Sequence, residues 1–204
     1  MFEKIENSVY RLHPGFAMEA RVLKNMKDKT GKNLQEWLEF VATNGPAAEK
    51  DQALWLKNEM ALGTNYAKFI AQRAAGKGGA ENYRPDELVA TQYAGKKEGL
   101  LPVYDKLLEL ALAFGEDVSA CPAKTFVSLY RKHVFGQIKA TTQTRIDLGL
   151  ALKNADPGEL PETLIDTGGL EKGDRITHRF AVSSLVDITS EVTDWLRRAY
   201  DLDA

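Results

Sequence analysis

Apolar residues recur at helical spacing through the first part of the chain and at a period of two through much of the last part. Phe16, Ala20 and Leu23 mark one face of a helix that Pro14 opens and Gly31 closes. Asn33 with Glu36 three residues on has the form of a capping box, and Leu34, Trp37, Leu38 and Val41 follow at i, i+3, i+4 and i+7. Gly45-Pro46 ends that helix. A third is expected from about Ala47 to Leu62, carrying Trp55, Leu56, Glu59 and Met60. Gly63 breaks it, and Thr64 caps a fourth whose stripe is Ala67, Ile70, Ala71 and Ala74.

The run Gly76-Lys77-Gly78-Gly79-Ala80-Glu81-Asn82 disfavours helix and strand alike and reads as a linker. After it, Asp86–Tyr93 forms a short helix and Leu100 to Phe114 a stronger one, with Gly115 past its end. Strands are expected over Thr125–Lys132, His133–Thr141, Arg145–Lys153 and Thr177–Ser183. Ile146, Leu148, Leu150 and Leu152 alternate with Asp147, Gly149, Ala151 and Lys153, the pattern of a half-buried strand. Pro157 to Asp174 reads as a long irregular connection. A last helix carries Ile188, Val192, Trp195, Leu196 and Ala199. The class is α+β: an all-helical N-terminal domain over residues 1–79, then over 80–204 a two-layer domain of antiparallel sheet flanked by helices.

Composition narrows the chemistry. With 204 residues and 44% apolar positions the chain builds a substantial core, and its single Cys excludes a disulfide framework and a Cys-based structural zinc site. No apolar run has the length of a membrane helix, and Met1–Tyr10 is too polar for a signal peptide, so the expected location is cytoplasmic, away from the membrane. The net charge of −2 conceals a split: residues 1–80 hold 12 basic and 9 acidic side chains, and residues 81–204 hold 15 and 20. Two domains of opposite sign suit mutual docking as well as a nucleic-acid partner.

Some stretches resemble known sequences. Thr30-Gly31-Lys32-Asn33-Leu34-Gln35-Glu36-Trp37, Trp55-Leu56-Lys57 and Leu62-Gly63 are similar to a short helical domain of unknown function in bacterial proteins. Pro122-Ala123-Lys124-Thr125-Phe126-Val127-Ser128-Leu129, Arg145-Ile146-Asp147-Leu148-Gly149-Leu150 and Thr177-His178-Arg179 resemble a second domain of unknown function. Similar C-terminal domains end bacterial proteins loosely labelled as predicted transport proteins, and some occur in proteins that resemble restriction–modification components. The resemblance spans about residues 14–75 and 95–201 and implies the two-domain order; it brings no activity, cofactor or catalytic residue.

Two surfaces are candidates. The helices on either side of Gly63 have the shape of a helix-turn-helix, in which Asn65, Lys68, Gln72 and Arg73 supply the donors and cations that base edges and phosphates require. Against this, a surplus of three positive charges is thin for a DNA binder, and Tyr66 and Phe69 also suit packing within a bundle. On the sheet, if Val127, Leu129, Ile146, Leu148 and Leu150 face the core, Ser128, Tyr130, Lys132, Arg145, Asp147 and Lys153 face away, joined by Phe135, Gln137, Lys139 and Arg179. Aromatic rings among cations make a stacking platform for single-stranded nucleic acid, and Arg forks also suit an anionic small molecule. The same face serves equally as a homodimer or interdomain contact.

The remaining groups point away from catalysis. His13, His133 and His178 have no ligand-type neighbour at metal-binding spacing, so no metal and no cofactor is expected. A set of His178 with Asp147 or Ser128 lacks a nucleophile elbow, and Cys121 is expected to be a small buried apolar residue. Gly76-Lys77-Gly78-Gly79 lacks the phosphate-loop pattern, and the carboxylates over Asp156–Asp174 fit no calcium loop. The favoured expectation is a non-enzymatic binding protein using the exposed sheet face. An assembly protein is the second, and a small-molecule site or weak hydrolase between the domains, using His178 and Arg179, is the third.

Overall fold

A computed structural model describes residues 3–204. The chain forms two compact units, one of Leu12–Tyr83 and one that joins the N-terminal stretch through Arg11 to Arg84–Ala204. This division differs from a split at residue 79 at both ends, for reasons given below.

The helical unit contains α1 (Gly15–Lys24), α2 (Met26–Thr30), α3 (Leu34–Asn44), α4 (Glu49–Asn58) and α5 (Thr64–Ala74). The first expected helix is thus broken at Asn25, and Gly31 ends α2 in the left-handed conformation at φ 79°. The capping box forms: the Asn33 side chain accepts from Glu36 N–H at 2.9 Å, and Glu36 Oε2 accepts from Asn33 N–H at 2.7 Å. The Asn33 N–H favours the ionised carboxyl and holds the Glu36 pKa below its ordinary value. Met26, Trp37, Val41, Leu56, Leu62, Ala67 and Ile70 make the core, with Phe40 stacked on Trp55 at 5.7 Å.

The glycine-rich run belongs to this unit rather than hanging free. Lys77 N–H donates to Gln72 O at 2.8 Å and Asn82 Nδ2 to Gly78 O at 2.9 Å. Gly79, at φ 78°, passes so close to the Arg73 guanidinium that a Cβ would lie 2.2 Å from Nη1.

The second unit contains α6 (Pro85–Gln92), a 3-10 turn over Gly95–Leu100, α7 (Leu101–Leu112), β1 (Ser119–Pro122), β2 (Val127–Tyr130), β3 (Val134–Ala140), β4 (Ile146–Leu150), β5 (Ile165–Asp166), α8 (Gly169–Lys172), β6 (His178–Val182) and α9 (Ser190–Asp201). Among the described residues the strands form one antiparallel sheet in the order β1-β2-β3-β4-β6-β5. Two of these strands go beyond the alternating runs. β1 is four residues long and ends on a proline, and β5 has two residues, set in the connection over 157–174.

Val127, Leu129, Ile138, Ile146, Leu148, Leu150, Phe180 and Val182 fill one face and are at most 3% exposed. α9 covers that face with Val192, Trp195, Leu196, Ala199 and Tyr200, and Gly136 leaves room for Leu196, whose Cδ1 would stand 3.5 Å from a Cβ there.

The chain's first described residues complete this unit. Arg11 N–H donates to Ala120 O at 2.9 Å on the outer edge of β1, and the Tyr10 and Tyr104 hydroxyls pair at 2.8 Å. An edge strand presents unpaired backbone groups, and this hydrogen bond satisfies one of them. Among the described residues no helix is long and apolar enough to cross a membrane.

Candidate functional site

Strand register decides which of the expected site residues share a face. Ser128, Gln137, Gly149 and Arg179 form one cross-strand row, and Lys139, Asp147 and Ala181 the next. These residues lie opposite the core face, as alternation implies. Four others depart from the expectation.

Phe135 is buried in the core, 0% exposed, with its ring 5.6 Å from that of Tyr200. The reason is a β-bulge: Leu129 pairs with Gly136 and Tyr130 with Val134, so Phe135 is an extra residue that the ladder skips and turns inward. Lys132 is exposed in the turn between β2 and β3, outside both strands. His178 and Arg179 occupy opposite faces because they are neighbours on one strand. His178 pairs with Leu150 on the core side, and its Nδ1 meets Thr177 Oγ1 at 2.9 Å. Tyr130 lies on the outward side but is half-buried, and burial raises its phenol pKa.

The outward cations are compensated. Asp147 Oδ1 accepts from Arg179 Nη1 at 3.0 Å and lies 2.9 Å from Arg145 Nε, while Oδ2 accepts from Thr141 Oγ1 at 2.8 Å. Arg145 Nε is buried and not aligned for a hydrogen bond, so this contact is electrostatic in kind. Arginines elsewhere in the unit are matched likewise: Arg131 to Asp117, Arg175 to Asp203, Arg197 to Asp201 and Arg198 to Glu159. Asp117 is held below the ordinary carboxylate range by its hydrogen bonds from Arg131 and Tyr200.

Lysines concentrate at a different place. Beside the sheet, α6, the Gly95–Leu100 turn, the β1–β2 turn and the end of β3 enclose a cleft of about 480 Å³. Lys96, Lys97, Lys124 and Lys139 line it, together with Thr91, Thr125 and Thr141, and no carboxylate or aromatic side chain does. Among the described residues none of the four lysines makes an ion pair. Lys97 Nζ donates to Ala140 O at 2.5 Å and so ties the turn to the end of β3. Gln92, 8% exposed, anchors the wall through Nε2, which donates to Ala123 O at 2.7 Å. Of the expected ligand-binding set only Lys139 reaches this cleft. Lys96-Lys97, Lys124 and Lys139 come from three places in the sequence that no local pattern links, and the adjacent pair Lys96-Lys97 after Gly95 is the one signal that stands out.

In the helical unit, Asn65 and Lys68 are exposed and Gln72 is half-exposed on α5. Arg73 is not available to a nucleic acid. Its Nε donates to Glu19 at 3.0 Å, Nη1 pairs with Glu81, and its side chain is 17% exposed. Burial works against its charge, but the two carboxylates outweigh it and raise the guanidinium pKa. Phe69 is buried at 6% and Tyr66 packs against the helical core.

Cys121 is fully buried, and burial pushes its thiol up to about 12 against the opposing charge of Arg11. Among the described residues no group of three or more His, Cys, Asp or Glu side chains is placed to hold a metal ion.

Fold and site together define a two-domain α+β protein, with a helical unit and an antiparallel-sheet unit that carries a cationic cleft. The chain belongs to the family described as Domain of unknown function (DUF5655), which matches residues 89–203, more than half its length. A second family, Domain of unknown function (DUF4287), matches residues 19–76 in the helical unit. No curated protein and no solved structure matches the chain.

Proposed function

We propose that this is a non-enzymatic binding protein that takes an anionic ligand in the lysine-lined cleft of its C-terminal unit. The supporting observation is the contrast in charge pairing. Four lysines surround the cleft without a carboxylate among its lining residues, whereas Arg131, Arg145, Arg175, Arg179, Arg197 and Arg198 each face one. Like charges within a Debye length of about 8–10 Å raise the local positive potential, and a concave site focuses it. An anion entering the cleft relieves that repulsion. The outward sheet face is the poorer surface, since Ser128 and Gly149 on it are buried, Asp147 neutralises two of its cations and Phe135 is absent from it.

A non-catalytic role accords with the chemistry of the reactive groups. A thiol at about 12 stays protonated near neutral pH, and His178 and Arg179 do not converge on one substrate. The test is calorimetric titration of the full chain at low salt with inorganic pyrophosphate, citrate, a nucleotide and an oligothymidylate. Binding of at least one anion, weakened about tenfold or more in Lys124→Glu/Lys139→Glu, is expected. Failure of every anion to bind at low salt sinks the reading.

A further inference from the structure

We propose that the ligand of this cleft is a compact, multiply phosphorylated polyol, of the sugar bisphosphate class, rather than a nucleic-acid strand or a carboxylate. The proposal rests on the anion-binding reading above and adds the chemical class.

Size comes first. A cleft of about 480 Å³ lies within the usual range for small-molecule sites, roughly 300–1,000 Å³. A strand needs a groove that continues along its backbone and rings on which successive bases stack. No aromatic residue lines this cleft. Phe126, beside Thr125, is not among the lining residues, and Tyr93, beside Gln92, packs at a tilt on Tyr104 at 4.7 Å. A nucleobase would therefore gain no stacking partner.

The number and kind of cations come second. Lys96 and Lys97 arrive from the turn after α6, Lys124 from the β1–β2 turn and Lys139 from β3, so the charges converge from separate walls. Ammonium groups act as point charges with rotatable donors, which suits the several oxygens of a phosphate, and no Arg, whose planar fork would hold a carboxylate or phosphate in one fixed plane, lines the cleft. Each phosphate monoester carries about −1.5 to −2 near pH 7, so two of them match four lysines. One carboxylate would leave most of that charge unbalanced.

The hydroxyls come third. Thr91 Oγ1 donates its proton to Glu87 O at 2.8 Å, and Thr141 Oγ1 donates to Asp147 Oδ2 at 2.8 Å. Both oxygens are thereby committed as donors within the protein and offer lone pairs as acceptors. A phosphate has no proton to give them at neutral pH once fully ionised, whereas the hydroxyl groups of a polyol do. The cleft thus pairs cations for phosphates with acceptors for alcohols.

The experiment is calorimetry on the full-length chain at low salt with inorganic phosphate, inorganic pyrophosphate, fructose bisphosphate and an oligothymidylate, repeated on Thr91→Val. The expected order is fructose bisphosphate tightest, then pyrophosphate, then phosphate, with one site per chain. Thr91→Val is expected to weaken the sugar bisphosphate about fivefold and leave pyrophosphate unchanged. Binding of the oligothymidylate in preference to both small phosphates overturns the proposal and leaves the anion-binding reading standing. Equal binding of pyrophosphate and the sugar bisphosphate, unaltered by Thr91→Val, overturns the polyol assignment. Absence of binding by all four removes the underlying reading and the proposal with it.

Discussion

Asp147 Oδ1 accepts a hydrogen bond from Arg179 Nη1 at 3.0 Å across a diagonal of the sheet, because the register places Ala181 directly opposite Asp147 and Gly149 opposite Arg179. The same carboxylate faces Arg145, so one acidic side chain compensates two cations on the outward face. Its removal converts a neutralised surface into a charged one.

Asp147→Asn is therefore expected to lower stability by about 1–2 kcal/mol through the loss of charge-assisted contacts to partly buried partners. It also leaves Arg145 and Arg179 uncompensated on the outward face that Lys139 shares. Urea unfolding measures the first effect. A steeper salt dependence of anion binding measures the second, and an unchanged slope would show that the two surfaces are electrically separate.

The bulge at Leu129 and Tyr130 makes a second prediction. Phe135→Ala should cost about 3–5 kcal/mol, the range for emptying a buried aromatic site. Lys132→Ala, three residues earlier in an exposed turn, should stay within about 0.5 kcal/mol of the parent. Similar costs for the two would contradict the inward placement of Phe135.

Cys121 gives a pH-dependent prediction. Burial raises its folded pKa to about 12, above the roughly 8.5 of a free thiol. The raised value favours the protonated, folded state, so this group's contribution is fully present below the unfolded pKa. It declines as pH rises from there toward about 12. Iodoacetamide at mildly alkaline pH should alkylate the native protein at least about 100-fold more slowly than the urea-unfolded chain. Comparable rates would show that the thiol is accessible and ionised.

Much of this architecture is legible in local pattern. The Asn33–Glu36 box, the apolar stripe of α9 and the alternation of Ile146, Leu148 and Leu150 each follow from short-range rules, and each forms. What escapes is set by contacts distant in sequence. Alternation assigns Phe135 to the outer face because it assumes an unbroken ladder, and the bulge that reverses it depends on the partner strand. Arg73 reads as a free cation on a helix face until Glu19 and Glu81 are brought to it. The cleft is the least legible feature, since its four lysines are unremarkable in isolation and meet through the packing of four segments.

The hydrogen bond from Arg11 to Ala120 has a consequence for the order of events during synthesis. Tyr10 and Arg11 precede the helical unit in the chain, yet the backbone that Arg11 pairs with, at Ala120, exists only after β1 has been made. The helical unit, Leu12–Tyr83, is continuous in sequence and has its own core, so it can fold while they wait. Residues that come before the helical unit are thus seated after it, and a nascent chain halted before β1 would hold the helical unit with Tyr10 and Arg11 still unplaced.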